Sequence, residues 1–164
     1  MQTRRVLTVR KLDKIVNHAE TQCQSRGTRL TKKRKAVLAG LLSSQRALSA
    51  YELIDSCREN LGEKLAPMSM YRILEFLEQE QLVHKLKLAN RYVACTHITC
   101  DHKHEVPQFL ICIQCYKVEE ASVSKSMVSA LKRNIQNVGF ELVSPQLEIS
   151  CLCGSCSSGC IPSM

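Results

Sequence analysis

Two Cys-x-x-Cys pairs, Cys112 with Cys115 and Cys153 with Cys156, constrain this chain more than any other feature. Each pair offers two thiolates from a single turn. The segment between the pairs is long enough to fold them onto one tetrahedral ion. A zinc held by four thiolates is a closed, structural site. The competing reading is a pair of redox-active dithiols or disulfides. The chain carries ten cysteines in 164 residues. The basic start Met1-Gln2-Thr3-Arg4-Arg5 is followed by no apolar stretch of signal-peptide type. No run approaches the length of a membrane span. The expected setting is therefore the reducing cytoplasm, where cysteine clusters bind metal more often than they form disulfides.

The chain ahead of the cysteine pairs reads as helices followed by a hairpin. Leu12, Ile15, Val16 and Ala19 repeat at helical spacing from about Lys11 to Arg26, and Gly27 stops the pattern. Thr31 can cap a second helix with Val37, Leu38, Leu41 and Leu42 on its apolar stripe. Ser49-Ala50-Tyr51-Glu52 has the spacing of a capping box and opens a third. Asn60, Gly62 and Pro67 mark a loop, and Ser69 leads into a fourth helix, Met70 to Leu77. Leu82 to Lys87 and Arg91 to Cys95 are extended runs joined by a short turn at Ala89-Asn90. Helices followed by a two-stranded hairpin give the order of a winged helix-turn-helix. Residues 96–107 are polar and His-rich and read as a linker. Strands from Gln108 to Ile113 and Lys117 to Glu120, a helix through Met127, Leu131, Ile135 and Val138, and a strand from Phe140 to Ile149 make a β-β-α-β unit. The expected class is α+β, with residues 1–95, 96–107 and 108–164 as its three parts. A unit of fewer than ~60 residues is marginal on its own apolar burial. A zinc staple and a partner subunit are the two remedies.

The formal charge of +8 favours a polyanionic partner. In a winged helix-turn-helix the second helix of the motif enters the major groove. Its exposed start here is Ser69-Met70-Tyr71-Arg72. Arg72 can donate two hydrogen bonds to guanine, and Tyr71 can reach a thymine methyl or a phosphate. The plain alternative for Arg72 is a surface ion pair with Glu75. Lys32, Lys33, Arg34 and Lys35 open the second helix, where positive charge opposes the helix dipole. A phosphate contact would account for them, as would a solvated face.

A second group of donors surrounds the linker: His84, Cys95, His97, Cys100, Asp101, His102, His104, Glu119 and Glu120. A hairpin turning at Ala89-Asn90 sets His84 directly opposite Cys95. Opposed Cβ atoms lie about 4.5–5.5 Å apart, close enough to share an ion. A linker histidine and a carboxylate after Cys115 would complete a mixed site suited to zinc. The alternatives are a structural histidine and a cysteine acting as a small hydrophobe.

Gly27-Thr28-Arg29-Leu30-Thr31-Lys32-Lys33-Arg34, Met70 to Leu77, and Ile111-Cys112-Ile113-Gln114-Cys115 resemble the ferric uptake regulator family of bacterial repressors. The resemblance runs in order from about residue 10 to 156. It implies a homodimer with an N-terminal winged-helix DNA-binding domain and a C-terminal dimerisation domain. The zinc uptake regulator branch is the most similar. That likeness implies a zinc-responsive repressor of zinc-uptake genes acting on palindromic operators, with two zinc ions per subunit. Its regulatory ligands fall on His84, Cys95, His104 and Glu120, with His102 competing for the linker position. The iron-sensing branch has a histidine before the Ser of the third helix, where Arg46-Ala47-Leu48 stands here. A regulator responding to iron, another metal or oxidation is the alternative within the family. Tyr116 departs from the Gly often found there. No His-Glu-x-x-His motif or nucleophile turn points to an enzyme, and no small-molecule substrate is implied.

Overall fold

The computed structural model describes residues 8–62, 64–99, 107–143 and 146–158. Four helices come first: α1 (Val9–Ser25), α2 (Lys32–Ser43), α3 (Ala50–Leu61) and α4 (Pro67–Gln79). A hairpin of β1 (Val83–Leu86) and β2 (Arg91–Ala94) follows. After the linker come β3 (Pro107–Cys112), β4 (Val118–Ser122), α5 (Lys125–Asn137), β5 (Leu147–Cys151) and the short α6 (Gly154–Ser157). The α+β class and the winged helix-turn-helix order expected from the sequence are both present.

Local chemistry sets most helix starts. Thr31 accepts the backbone N–H of Arg34 at the head of α2. Ser49 and Glu52 form the reciprocal capping box of α3, with Ser49 N–H donating to Glu52 Oε2 at 2.7 Å. The fourth helix departs from expectation. Pro67 begins it instead of preceding it, because a proline at the first helical position gives up an N–H that would be unpaired anyway.

The hairpin also differs in register. His84 pairs with Val93 and Leu86 with Arg91, so His84 and Cys95 are not directly opposed. The cause is the turn. It holds four residues, Lys87 to Asn90, and closes with Asn90 in the left-handed region at φ 49° and its N–H donating to Lys87 O at 3.3 Å. Cys95 lies just beyond β2, and its N–H donates to Leu82 O at 2.9 Å. The error is two residues, and side chains alternate with period two, so His84 and Cys95 still share a face.

The hairpin is sandwiched between the helices and the second sheet. Val83, Tyr92 and Ala94 on one face join the helical core around Leu38, Leu53, Leu74 and Leu77. Leu86 and Val93 on the other pack with Phe109, Ile111 and Val118. The second sheet has the order β4-β3-β5, with β3 antiparallel to β4 and parallel to β5. Glu120 is the register partner of Phe109 and so shares its face, turned toward the hairpin. Of the expected strand from Phe140 to Ile149, the described residues form β5 only from Leu147; Phe140 to Val143 is irregular, with Phe140 and Val143 strongly exposed. Helix α5 buries none of its residues.

Candidate metal centres and nucleic-acid surface

The four thiols of the two CxxC pairs converge. Cys112 ends β3, Cys115 lies in the turn after it, Cys153 precedes α6 and Cys156 lies inside it. All four Sγ atoms are within 4.8 Å of one another. Cys115 Sγ is 3.7 Å from Cys153 Sγ, a contact that runs between the pairs and not within one. A tetrahedral site with Zn–S bonds of ~2.3 Å has S···S edges of about 3.8 Å. The donor set and its spacing thus fit one closed zinc site better than two separate dithiols.

Electrostatics in the cluster divide the thiols. Burial pushes Cys112 up, but the backbone N–H groups of Cys115, Cys153 and Gln114 outweigh it and bring it down to about 6. The backbone N–H of Cys156 likewise lowers Cys153. Burial raises Cys115, and burial with the neighbouring thiols pushes Cys156 up to about 12. Cys112 and Cys153 are thus favoured as anions, and Cys115 and Cys156 are held as thiols. A divalent cation held by all four sulfurs would favour their ionised form together.

The second centre gathers His84, Cys95 and Glu120, whose ligand atoms also lie within 4.8 Å of one another. Each arrives from a different segment. His84 projects from β1 and rests against Phe109, with ring centroids 5.0 Å apart. Cys95 is fixed by the backbone bond to Leu82, and Glu120 comes from β4 across the inter-sheet gap. Glu120 is only 7 % exposed. Its Oε2 accepts Thr96 Oγ1 at 2.6 Å and Thr96 N–H at 3.3 Å, and its Oε1 lies 3.3 Å from His97 Nδ1. One imidazole, one thiolate and one carboxylate at this spacing suit zinc. His102 and His104, expected to supply the fourth donor, lie outside the described residues, as do Cys100 and Cys160. Thr96 was missed by sequence reasoning. A hydroxyl adjoining Cys95 is the only signal of it in the sequence.

A family model described as the ferric uptake regulator family matches residues 25–150. The chain belongs to the ferric uptake regulator family. It is 32% identical over 142 residues to the zinc uptake regulation protein of Escherichia coli (strain K12), covering 87% of this chain and 81% of that one. It superposes on a zinc uptake regulator complexed with zinc and DNA at a TM-score of 0.77, with 29% identity, 93% of this chain and 98% of that chain covered. The holo form of XcZur gives a TM-score of 0.70 at 36% identity over 89% of this chain and 99% of that one. The apo form of XcZur gives 0.51 at 37% identity over 91% and 99%. Identity is nearly the same in both forms, so the difference lies in the arrangement of parts.

In this ferric uptake regulator family member, the exposed side of α4 presents Ser69, Tyr71 and Arg72, while Met70, Ile73 and Leu74 face the core. Met68 on the same first turn is 68 % exposed. The basic cluster of α2 is less uniform than its sequence. Lys32 and Lys33 are exposed. Arg34 stacks 3.4 Å above the Phe76 ring of α4 and donates to Arg29 O at 2.6 Å. Lys35 pairs with Glu20 at 2.6 Å. Arg34 therefore also braces α4 against α2.

Proposed function

We propose that this family member is a zinc-responsive repressor that binds palindromic operators as a zinc-loaded homodimer and silences zinc-uptake genes. The observation that carries this reading is the meeting of His84, Cys95 and Glu120 from the two sides of the inter-sheet gap. His104 would complete the set, with His102 as its competitor. Bound there, zinc would tie hairpin, linker and second sheet together. Cys112, Cys115, Cys153 and Cys156 would hold a second, structural zinc, giving two per subunit. The greater likeness to holo than to apo XcZur, and the likeness to a regulator complexed with zinc and DNA, support a metal-loaded arrangement for this structure. A zinc that favours the closed form a hundredfold supplies ~2.7 kcal/mol of bias, and one with equal affinity for both forms supplies none.

The proposed parts are a DNA-binding domain at residues 1–95, a hinge at 96–107 and a dimerisation domain at 108–164. Ser69, Tyr71 and Arg72 would read bases or phosphates, with Lys32, Lys33 and Arg34 adding positive charge beside them. The surface left for a partner subunit is apolar. Met127, Val138, Phe140 and Val143 are all more than 60 % exposed, and Ile149 and Leu152 lie beside the free edge of β5. Such a surface suits burial against a second copy. The role is regulatory and not enzymatic, in the cytoplasm. Among the described residues no helix is long and apolar enough to cross a membrane.

A mobility-shift titration tests the reading. Operator binding should be lost to a chelator that removes only the weaker zinc and return with added zinc. Binding indifferent to that chelator overturns it. Recovery with Fe(II) but not zinc would move the protein to the iron-responsive alternative. Loss under mild peroxide with zinc present would favour an oxidation sensor.

A further inference from the structure

Tyr116 stands one residue beyond the first CxxC and takes φ 59°, a backbone conformation that favours glycine. Its side chain therefore needs a reason to be there, and the structure supplies one on the opposite side of the gap. The Arg91 guanidinium, from the first residue of β2, lies 3.6 Å above the Tyr116 ring. The same guanidinium pairs with Glu52 Oε2 in the α3 capping box and donates to Ala47 O at 3.2 Å. Ala47 N–H in turn donates to Tyr116 O at 3.0 Å. Ala47 is fully buried, and Arg46 bridges to Lys117 beside it. Tyr116 is thus held twice, by ring and by carbonyl, against the segment that leads into α3.

We infer that Tyr116 is a positioning residue that joins the four-thiol centre to the helix-turn-helix through Arg91 and Glu52. The path avoids His84, Cys95 and Glu120 altogether. The turn carrying Cys112 and Cys115 is anchored to the same Tyr116, since Tyr116 N–H donates to Cys112 O at 3.0 Å. Order in the four-thiol centre is then transmitted to the start of α3. The scaffold takes part in setting the angle of the DNA-reading helices. This inference rests on the proposed repressor function only in what the angle is for. The contact itself can be tested without DNA.

The test uses the full-length zinc-loaded protein with Tyr116→Gly and Tyr116→Phe. Glycine suits the backbone and removes the ring, so the variant should fold and keep the wild-type zinc content. NMR-detected exchange of the Ala47 amide should speed up by about tenfold in Tyr116→Gly, while Leu48 and Tyr92, paired with each other away from the gap, keep their protection. Tyr116→Phe keeps the ring and should match the wild type. Unchanged Ala47 exchange in Tyr116→Gly overturns the inference. Equal opening in both variants also overturns it, by placing the effect in the hydroxyl. Loss of zinc from Tyr116→Gly overturns it too, since Tyr116 would then serve only the local turn. Failure of zinc-dependent operator binding in the wild type would sink the repressor reading and leave these exchange rates interpretable.

Discussion

Glu148 on β5 accepts the backbone N–H of Lys87, at the turn of the hairpin, through Oε1 at 2.9 Å. Its other oxygen accepts Leu88 N–H at 2.8 Å. Gln146 Nε2 bonds both Glu148 Oε1 and Lys85 O at 2.7 Å. A single carboxylate from the second sheet therefore holds the tip of the wing. At its base, Glu120 of the same sheet accepts the N–H and hydroxyl of Thr96, just beyond β2.

Glu148→Gln should loosen that grip, because an amide offers one accepting oxygen in place of two. With the site half-exposed, the expected loss is about 1 kcal/mol. A zinc-loaded thermal melt of both proteins measures it, and faster exchange of the Lys87 and Leu88 amides alone should accompany it. Exchange rates equal to the wild type would mean the contact carries no load.

Metal counts should separate the two centres. Cys95→Ser should fall from two zinc ions per subunit to one and remain folded. Cys153→Ser should lose the other ion and unfold the second sheet. Structural zinc contributes on the order of 10 kcal/mol in small domains, against a typical total of ~5–15 kcal/mol. Elemental analysis with circular dichroism reads both outcomes. A folded Cys153→Ser retaining two ions would remove the four-thiol site.

Arg72→Ala should weaken binding to the cognate duplex by about 1–3 kcal/mol and relax the preference at one base pair. Competition with single-base variants of the operator provides the readout. An equal loss on every sequence, with a shallower salt dependence, would make Arg72 a phosphate contact.

Glu52 gives a pH signature. Burial raises its carboxyl, but Ser49 N–H and Oγ, with Arg91 and Arg46, outweigh burial and hold it below its ordinary 4.5. A depressed carboxyl stabilises the fold fully above its unfolded value, and that share is lost as pH falls through the folded one. Glu52→Gln should thus be less stable by about 1–2 kcal/mol at neutral pH. The gap should narrow once pH falls below the unfolded value of ~4.3 and close as pH passes through the lower folded one. Acid release of zinc affects both proteins, so the difference in melting temperature is the quantity to follow. A gap that persists at low pH would point to lost packing.

What could be read in advance was local. Ser49 and Glu52 are three residues apart, and their cap needs no tertiary partner to be recognised. The CxxC turns are equally self-contained. The start of α4 at Pro67 is not legible in the sequence, because proline serves both as a breaker and as a first helical residue. The wing register escaped because Ala89-Asn90 resembles a two-residue turn, whereas the chain uses Asn90 to close a four-residue one. Tyr116 with Arg91, and Glu148 with Lys87, depend on how two sheets pack, and no periodicity reports that. Thr96 gained its role only when Glu120 arrived from 24 residues away.

The turn from Lys87 to Asn90 also says how such hairpins can drift. Pairing that slips by two residues leaves His84 on the side of Glu120 and on the same face as Cys95. A slip of one carries His84 to the helical side and brings Lys85 into its place. Changes of pairing that keep His84 facing Glu120 should therefore come in even steps, and an odd one should part the two while every candidate ligand is still spelled in the sequence.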